Sequence, residues 1–392
     1  MVISQKISEL MKSSSWIRAM FEEGEKLKKQ YGPEQVFDFT LGNPITEPPE
    51  ELKNELIKIV SSDIKGKHRY MTNSGYEEVR EEIAGFYKEN SDLNFTKNHI
   101  IMTVGSAGGL NVVLKSLLDP GDEVIVLSPF FVEFMFYIEN HGGAMKLVDT
   151  KDDFHLDFNK IKEAISEKTK AIIINSPNNP TGIVYSNEEL EELASLLKNI
   201  KDSGQRIFVI SDEAYRKIIY DGIDFPDLFL LYEDTITITS HSKDLALPGE
   251  RIGYITISPL MENSEKLIDA AIFANRILGF INAPAIMQRI VGKFQKNSVD
   301  IKDYQKKRDA IYNILIYAGF EVVKPEGAFY IFPKSPIKDD IQFVNNLQKH
   351  RVLAVPGIGF GKPGYFRIAY CVEMDMIERS RPFFKEVMNK TR

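Results

Sequence analysis

The chain has a single cysteine, Cys371, in 392 residues, so no intrachain disulfide can form. That suits a reducing compartment, and a cytoplasmic location is expected. Cys371 follows an apolar run and reads as a small buried core residue. Positive charge is not in excess either: 49 lysines and arginines stand against 56 aspartates and glutamates, for a net charge of -7. A nucleic-acid footprint needs a basic patch, so no nucleic-acid partner is expected, while a locally positive site can still take small anions. No apolar run reaches the roughly 18 residues of a membrane span, so no membrane association is expected. Met1-Val2-Ile3-Ser4-Gln5-Lys6 has no apolar core of signal-peptide length. No internal repeat, low-complexity tract or disordered linker interrupts the chain.

What is present is a succession of strands and helices, in a chain long enough for two or three domains. Apolar periodicity predicts helices over 15–31, 51–61 and 74–87, the last opened by a capping box at Ser74-Gly75-Tyr76-Glu77. Strands are predicted over 99–104, 123–127, 144–148, 171–175, 207–211, 235–240 and 252–257, with helices over 106–118, 157–166 and 187–200 among them. Several strands are unbroken apolar runs, as in a mostly parallel sheet covered on both faces. After about residue 285 the texture changes. A long Lys- and Arg-rich helix over 285–318 precedes short strands at 321–323, 328–332, 352–355 and 365–370, a helix over 340–349 and a last helix from near Glu373. That is an α+β end domain on an α/β chain.

Five segments fall at the C-terminal ends of predicted strands, the edge where open α/β sheets bind ligands. Gly105-Ser106-Ala107-Gly108-Gly109 opens a helix; its free N–H groups make an anion site, or it is a small-residue turn. Ser128-Pro129-Phe130-Phe131 offers a ring to stack on a flat heterocycle, or a core phenylalanine. Asn175-Ser176-Pro177-Asn178-Asn179-Pro180-Thr181-Gly182 is a stiff turn that holds an amide in place. Ser211-Asp212-Glu213-Ala214-Tyr215 puts Asp212 at the end of a buried strand. Its carboxylate there either caps a helix or needs a cation, such as a protonated pyridine nitrogen. Tyr215 can donate to a phenolic oxygen of the same ring. Ser240-His241-Ser242-Lys243 sets a lysine where burial is costly unless the amine is desolvated for chemistry or covalently occupied. Lysine amines form Schiff bases with pyridoxal phosphate, and Arg251 in Pro248-Gly249-Glu250-Arg251 can hold a phosphate as a bidentate partner.

In this order the segments resemble the class I/II aminotransferases of the fold-type I pyridoxal-phosphate enzymes, over nearly the whole chain. The specific matches are Asn178-Asn179-Pro180-Thr181-Gly182, Asp212-Glu213-Ala214-Tyr215, Ser240-His241-Ser242-Lys243 and Gly249-Glu250-Arg251-Ile252-Gly253-Tyr254. The resemblance implies a large domain over 43–285 that binds pyridoxal 5'-phosphate, and a small α+β domain from 1–42 and 286–392. It implies that Lys243 carries the cofactor as an aldimine and, once released, shuttles a proton. Asp212 is implied to pair with the pyridine nitrogen, Tyr215 and Asn179 to bond the ring oxygen, and Phe131 to stack on the ring. Gly105, Ser106, Ala107, Ser240 and Arg251 are implied to bind the phosphate. Tyr70, in Arg69-Tyr70-Met71-Thr72, resembles the tyrosine that reaches the phosphate of a neighbouring subunit, which implies a homodimer with its active sites at the interface.

Arg367, in Tyr365-Phe366-Arg367-Ile368-Ala369, resembles the arginine that clamps the substrate α-carboxylate. Gly42, in Leu41-Gly42-Asn43-Pro44, resembles the glycine of a segment that closes over substrate, and Asn179 is implied to meet substrate too. Phe329-Tyr330 matches a family strand. Glu250 departs from the pattern, since many relatives carry a bulky aromatic there. The implied activity moves an amino group between an L-amino acid and a 2-oxo acid by a ping-pong mechanism, with 2-oxoglutarate as the default acceptor and no metal. A pyridoxal-phosphate β-lyase on the same scaffold is an alternative. So is a cofactor-binding sensor, against which stand the acidic chain and the short stretch before the fold. Arg276 meets a second carboxylate across the interface or lies at the surface.

Overall fold

Runs of isoleucine, valine and threonine build the centre of the molecule. The computed structural model describes residues 2–13 and 15–391. Its strands are β1 (Phe37–Asp38), β2 (Ile100–Thr103), β3 (Glu123–Ser128), β4 (Ala144–Asp149), β5 (Thr169–Asn175), β6 (Phe208–Asp212), β7 (Thr235–Ser240), β8 (Gly253–Ile257), β9 (Tyr330–Ile331), β10 (Val352–Leu353), β11 (Val355–Pro356) and β12 (Phe366–Ala369). Strands β2 to β8 form one seven-stranded sheet in the order β2-β8-β7-β6-β5-β3-β4. All its neighbours pair in parallel except at β8, which runs antiparallel to both β2 and β7.

Alternate residues of the middle strands feed two separate cores. Val124, Val126, Ile173 and Ile210 pack with the Gly105–Leu117 and Ser264–Ile277 helices. Ile125, Leu127, Ile172, Ile174 and Val209 pack on the opposite face with the Asn187–Asp202 helix. A strand buried on both faces has no polar side to alternate with, which is why these read as unbroken apolar runs. Elsewhere β1 pairs in parallel with β10, and β11, β12 and β9 form a small antiparallel sheet. A third core joins these to the Ile301–Ala318 and Met374–Thr391 helices. Among the described residues no helix is long and apolar enough to cross a membrane.

Three local expectations are corrected. The helix expected over 74–87 spans Glu77–Ser91 and has no capping box. Ser74 Oγ pairs instead with Thr72 Oγ1 at 3.3 Å, and the Tyr76 N–H donates to Gln288 Oε1 at 3.0 Å. The long helix expected over 285–318 is broken into Ala285–Val291 and Ile301–Ala318. Between them the Val299 N–H donates to Asp244 O at 2.7 Å, drawing the chain onto the segment that carries Lys243, and Asp300 caps the second helix. Residues 321–323 form no strand: Glu321 O accepts one bond from the Lys334 N–H at 2.9 Å, and Pro325 has no N–H to extend a ladder. The Gln5–Ser13 and Glu133–Asn140 helices were missed by sequence reasoning. Cys371 is fully buried, as expected.

Candidate active site

The C-terminal ends of β5, β6 and β7, the loop after β3 and the start of the Gly105–Leu117 helix border a cavity of about 340 Å³, closed opposite by Gly42, Tyr330 and Arg367. The site residues singled out in the sequence all line it except Gly105 and Tyr70. Gly105 lies just behind the wall, where an added Cβ would come within 2.8 Å of Arg251 Nη2. Tyr70 is 85% exposed and stands outside the cavity.

Lys243 sits on a single helical turn, His241–Asp244, that follows β7 directly. Ser240 Oγ accepts the Ser242 N–H at 3.2 Å, and buried Asp244 pairs with His241 at 3.2 Å and with Lys217 at 2.9 Å, which fixes the turn from behind. The Lys243 amine donates to Gly42 O at 2.6 Å and lies 5.4 Å from the Phe329 ring centre. With no carboxylate beside it, burial pulls its pKa down to about 8, and Arg367 and Arg251 push the same way.

Asp212 closes β6, carried there by the apolar run Phe208-Val209-Ile210. Its carboxylate is buried and accepts only the Ala214 N–H, at 3.4 Å; burial pushes its pKa up to about 7. Burial does the same to neighbouring Glu213, against the pull of Arg216. In the ligand-free fold both carboxyls hold their protons to about pH 7, whereas in the unfolded chain they ionise near 3.8 and 4.5. The unfolded chain therefore sheds protons first, and stability falls as pH rises between those values. Asp212→Asn removes one of the two contributions. Its melting temperature without ligand is expected to fall less from pH 4 to pH 7 than that of the unmodified chain. Equal slopes would exclude an unpaired Asp212.

Two arginines frame the cavity. Arg251, in the left-handed region at φ 50°, donates to Pro248 O at 2.9 Å and reaches Ser242 Oγ and Val104 O, each at 3.4 Å. Arg367 is buried beside the rings of Tyr330 and Phe360, its guanidinium carbon 4.8 and 4.6 Å from their centres. It donates to Asn179 Oδ1 at 3.1 Å and to Thr40 O at 2.6 Å, while its Nε has no partner. Among the described residues neither arginine nor Lys243 meets a carboxylate, and Asp212 meets no cation. Buried charges are tolerated when something compensates them. Arg367 and Lys243 are such charges, while Arg251 stands exposed at the rim. Together with Asp212 they suit a ligand with two anionic groups, one cationic atom and a carbon that an amine can attack, which fits pyridoxal phosphate together with a substrate carboxylate.

The remaining walls are polar and aromatic. The Asn179 N–H donates to Asn175 Oδ1 at 2.8 Å, and Asn175 Nδ2 donates in turn to Asp212 O at 3.1 Å, which locks the turn after β5 to β6. Tyr215 and Tyr330 hydroxyls are 2.9 Å apart. Phe131 stands edge-on to Phe134 at 5.5 Å. Sequence reasoning missed Asn175, Tyr330, Glu133 and Tyr137, all of which line the cavity. Asn175 was legible as the last residue of β5. Glu133 and Tyr137 are one turn apart on a helix whose apolar run masked it. Tyr330 is delivered by the pairing of Ala369 with Tyr330, which no local signal announces. Glu250 is exposed and outside the cavity, as is Arg276, whose guanidinium lies over Phe273 at 5.1 Å.

A model of the family described as aminotransferase class I and II matches residues 34–380. The chain is 35% identical over 352 residues to a probable aspartate aminotransferase of Methanocaldococcus jannaschii, covering 88% of this chain and 92% of that protein. It is 29% identical over 399 residues to an aspartate aminotransferase of Thermotoga maritima, covering 99% and 100%. Among solved structures, an amino transferase from Eubacterium rectale superposes with a TM-score of 0.96 at 36% identity over all of both chains. An aspartate aminotransferase of Thermus thermophilus with maleate gives 0.84 at 28%, over 95% of this chain and 96% of that one.

Proposed function

Since this chain belongs to the class I and II aminotransferases and is itself an aminotransferase, we propose that it holds pyridoxal 5'-phosphate on Lys243 and transfers amino groups between an amino acid and a 2-oxo acid in this cavity. The observation that carries the reading is a set of ionisable groups around one cavity that lack an oppositely charged partner: Lys243, Arg367 and Asp212 within it, and Arg251 at its exposed rim. Bound pyridoxal phosphate supplies an aldehyde carbon that condenses with amines and a ring that accepts electrons from the substrate's Cα.

Lys243 acts first as the amine that tethers the cofactor. Its pKa of about 8 keeps an appreciable neutral fraction near neutral pH. The same nitrogen would also hold and move the proton at the substrate Cα. Asp212 holds the proton on the ring nitrogen, which gives its own buried charge a partner. Arg251, Ser240 and the first N–H groups of the Gly105–Leu117 helix bind the phosphate. Tyr215 and Asn179 bond the ring oxygen, and Phe131 packs on the ring. Arg367 clamps the substrate α-carboxylate and orients Cα–H towards Lys243. Tyr70 reaches the site of a second subunit, which makes the working form a homodimer. In this reading the large domain covers 43–285, the small domain 1–42 with 286–392, and the protein is cytoplasmic.

Gly42 is the point where the covering segment comes nearest. An added Cβ would fall 1.9 Å from Tyr330 Oη, so Gly42→Ala must shift the segment or the Tyr330 ring that borders the cavity. The KM for the amino donor is expected to rise about tenfold or more; an unchanged KM would mean that the segment does not meet substrate.

The donor is open. Similar proteins are named for aspartate, aspartate and prephenate, N-acetyl-LL-diaminopimelate and (5-formylfuran-3-yl)methyl phosphate, too broad a range to carry one donor over. The deciding experiment is a visible spectrum of the purified protein with amino acids added one at a time. A yellow band that bleaches with particular amino acids supports the reading and names the donor class. A band that none of them bleaches favours the β-lyase or sensor. No band after adding pyridoxal phosphate overturns the assignment of Lys243.

A further inference from the structure

We propose that Tyr330 is a positioning residue that couples the Arg367 clamp to Tyr215, a role that deepens the cofactor reading above and rests on it. Tyr330 is buried and lines the cavity. Its ring lies 4.8 Å from the Arg367 guanidinium carbon, and its hydroxyl is 2.9 Å from that of Tyr215. An added Cβ on Gly42 would come within 1.9 Å of the same hydroxyl. One side chain therefore touches the covering segment, the anion clamp and the tyrosine assigned to the ring oxygen. The register is rigid: Tyr330 pairs with Ala369 and Ile331 with Ile368, so Arg367 and Tyr330 are carried by the same small sheet.

Two hydroxyls at this distance share one hydrogen bond, in which one donates and the other keeps its proton for a different acceptor. The Arg367 charge acts on both: burial pushes the Tyr330 and Tyr215 hydroxyls above their ordinary range, and Arg367 works against the rise at each. A change in that charge therefore shifts how the two share their bond, and with it the hydrogen that Tyr215 offers the cavity. A carboxylate arriving on Arg367 neutralises the charge that polarises Tyr330, so occupancy of the clamp is felt at Tyr215.

The test is a pH titration of the visible band of the cofactor-loaded protein at fixed ionic strength, with and without saturating propionate to fill the clamp. Tyr330→Phe keeps the ring beneath Arg367 and removes the hydroxyl. It is expected to move the midpoint by about half a pH unit or more, in the direction in which Tyr215→Phe moves it. Propionate's own effect on the midpoint is expected to shrink by about half in this variant. Tyr330→Leu removes the ring as well, and is expected to raise the Kd for propionate about fivefold or more, while Tyr330→Phe keeps it within about twofold. A Tyr330→Phe midpoint within about 0.2 units of the unmodified protein, with propionate's effect intact, overturns the coupling. Absence of any band in the unmodified protein overturns the cofactor reading instead, and the coupling with it.

Discussion

Lys243→Ala is expected to lower amino transfer by more than about 10⁴-fold, because in the proposed reading one nitrogen serves both as the cofactor's tether and as the carrier of the Cα proton. The loss cannot be made good from nearby. Lys217, which packs behind this turn, is bound to Asp244 at 2.9 Å and to Asn297 O at 3.0 Å. Fold and phosphate binding are expected to survive. Lys243 makes one hydrogen bond, to Gly42 O, and the anion site at Arg251 and Ser240 does not depend on it. The check is single-turnover kinetics beside a circular dichroism spectrum. Turnover near that of the unmodified enzyme, from a folded variant, would remove Lys243 from its assigned role.

Asp212→Ala is expected to slow transfer by about 10²-fold or more, since on the proposed assignment the ring then loses the anion that keeps its nitrogen protonated and its electron demand high. Stability is expected to move the other way. Without ligand the buried carboxylate is a cost that grows as pH rises towards 7, so the variant should melt higher than the unmodified protein near neutral pH. A slower yet more stable protein separates a role in the reaction from damage to the fold. Rates measured at saturating cofactor, beside ligand-free melting curves, decide it. An unchanged rate would mean that Asp212 does not face the ring nitrogen.

The sequence made the sheet legible because its strands are buried on both faces. Ile172-Ile173-Ile174 and Val209-Ile210 leave little room for another reading, and the polar residue ending each run marks the functional edge. Asn179, Asp212, Lys243 and Arg251 were found this way. The capping box at Ser74 did not form: its hydroxyl pairs with Thr72, and the helix starts only at Glu77, with the Tyr76 N–H held by a distant glutamine, Gln288. The break near Val299 was hidden for a similar reason: a bond to Asp244 O outweighed a helical pattern. Tyr330 escaped because its place in the cavity is set by register between strands, not by local spacing.

The bond from Arg367 to Thr40 O joins residues 327 positions apart, and β1 finds its partner only in β10. The cavity thus has an order of assembly. A chain growing from its N-terminus can complete the large sheet, with Asp212, Lys243 and Arg251 already at its edge, while residues 39–43 still lack the strand and the arginine that hold them. On the proposed assignment, the residues for the cofactor are gathered by one sheet, whereas Arg367 and the 39–43 segment, assigned to the substrate, meet only across nearly the whole length of the chain.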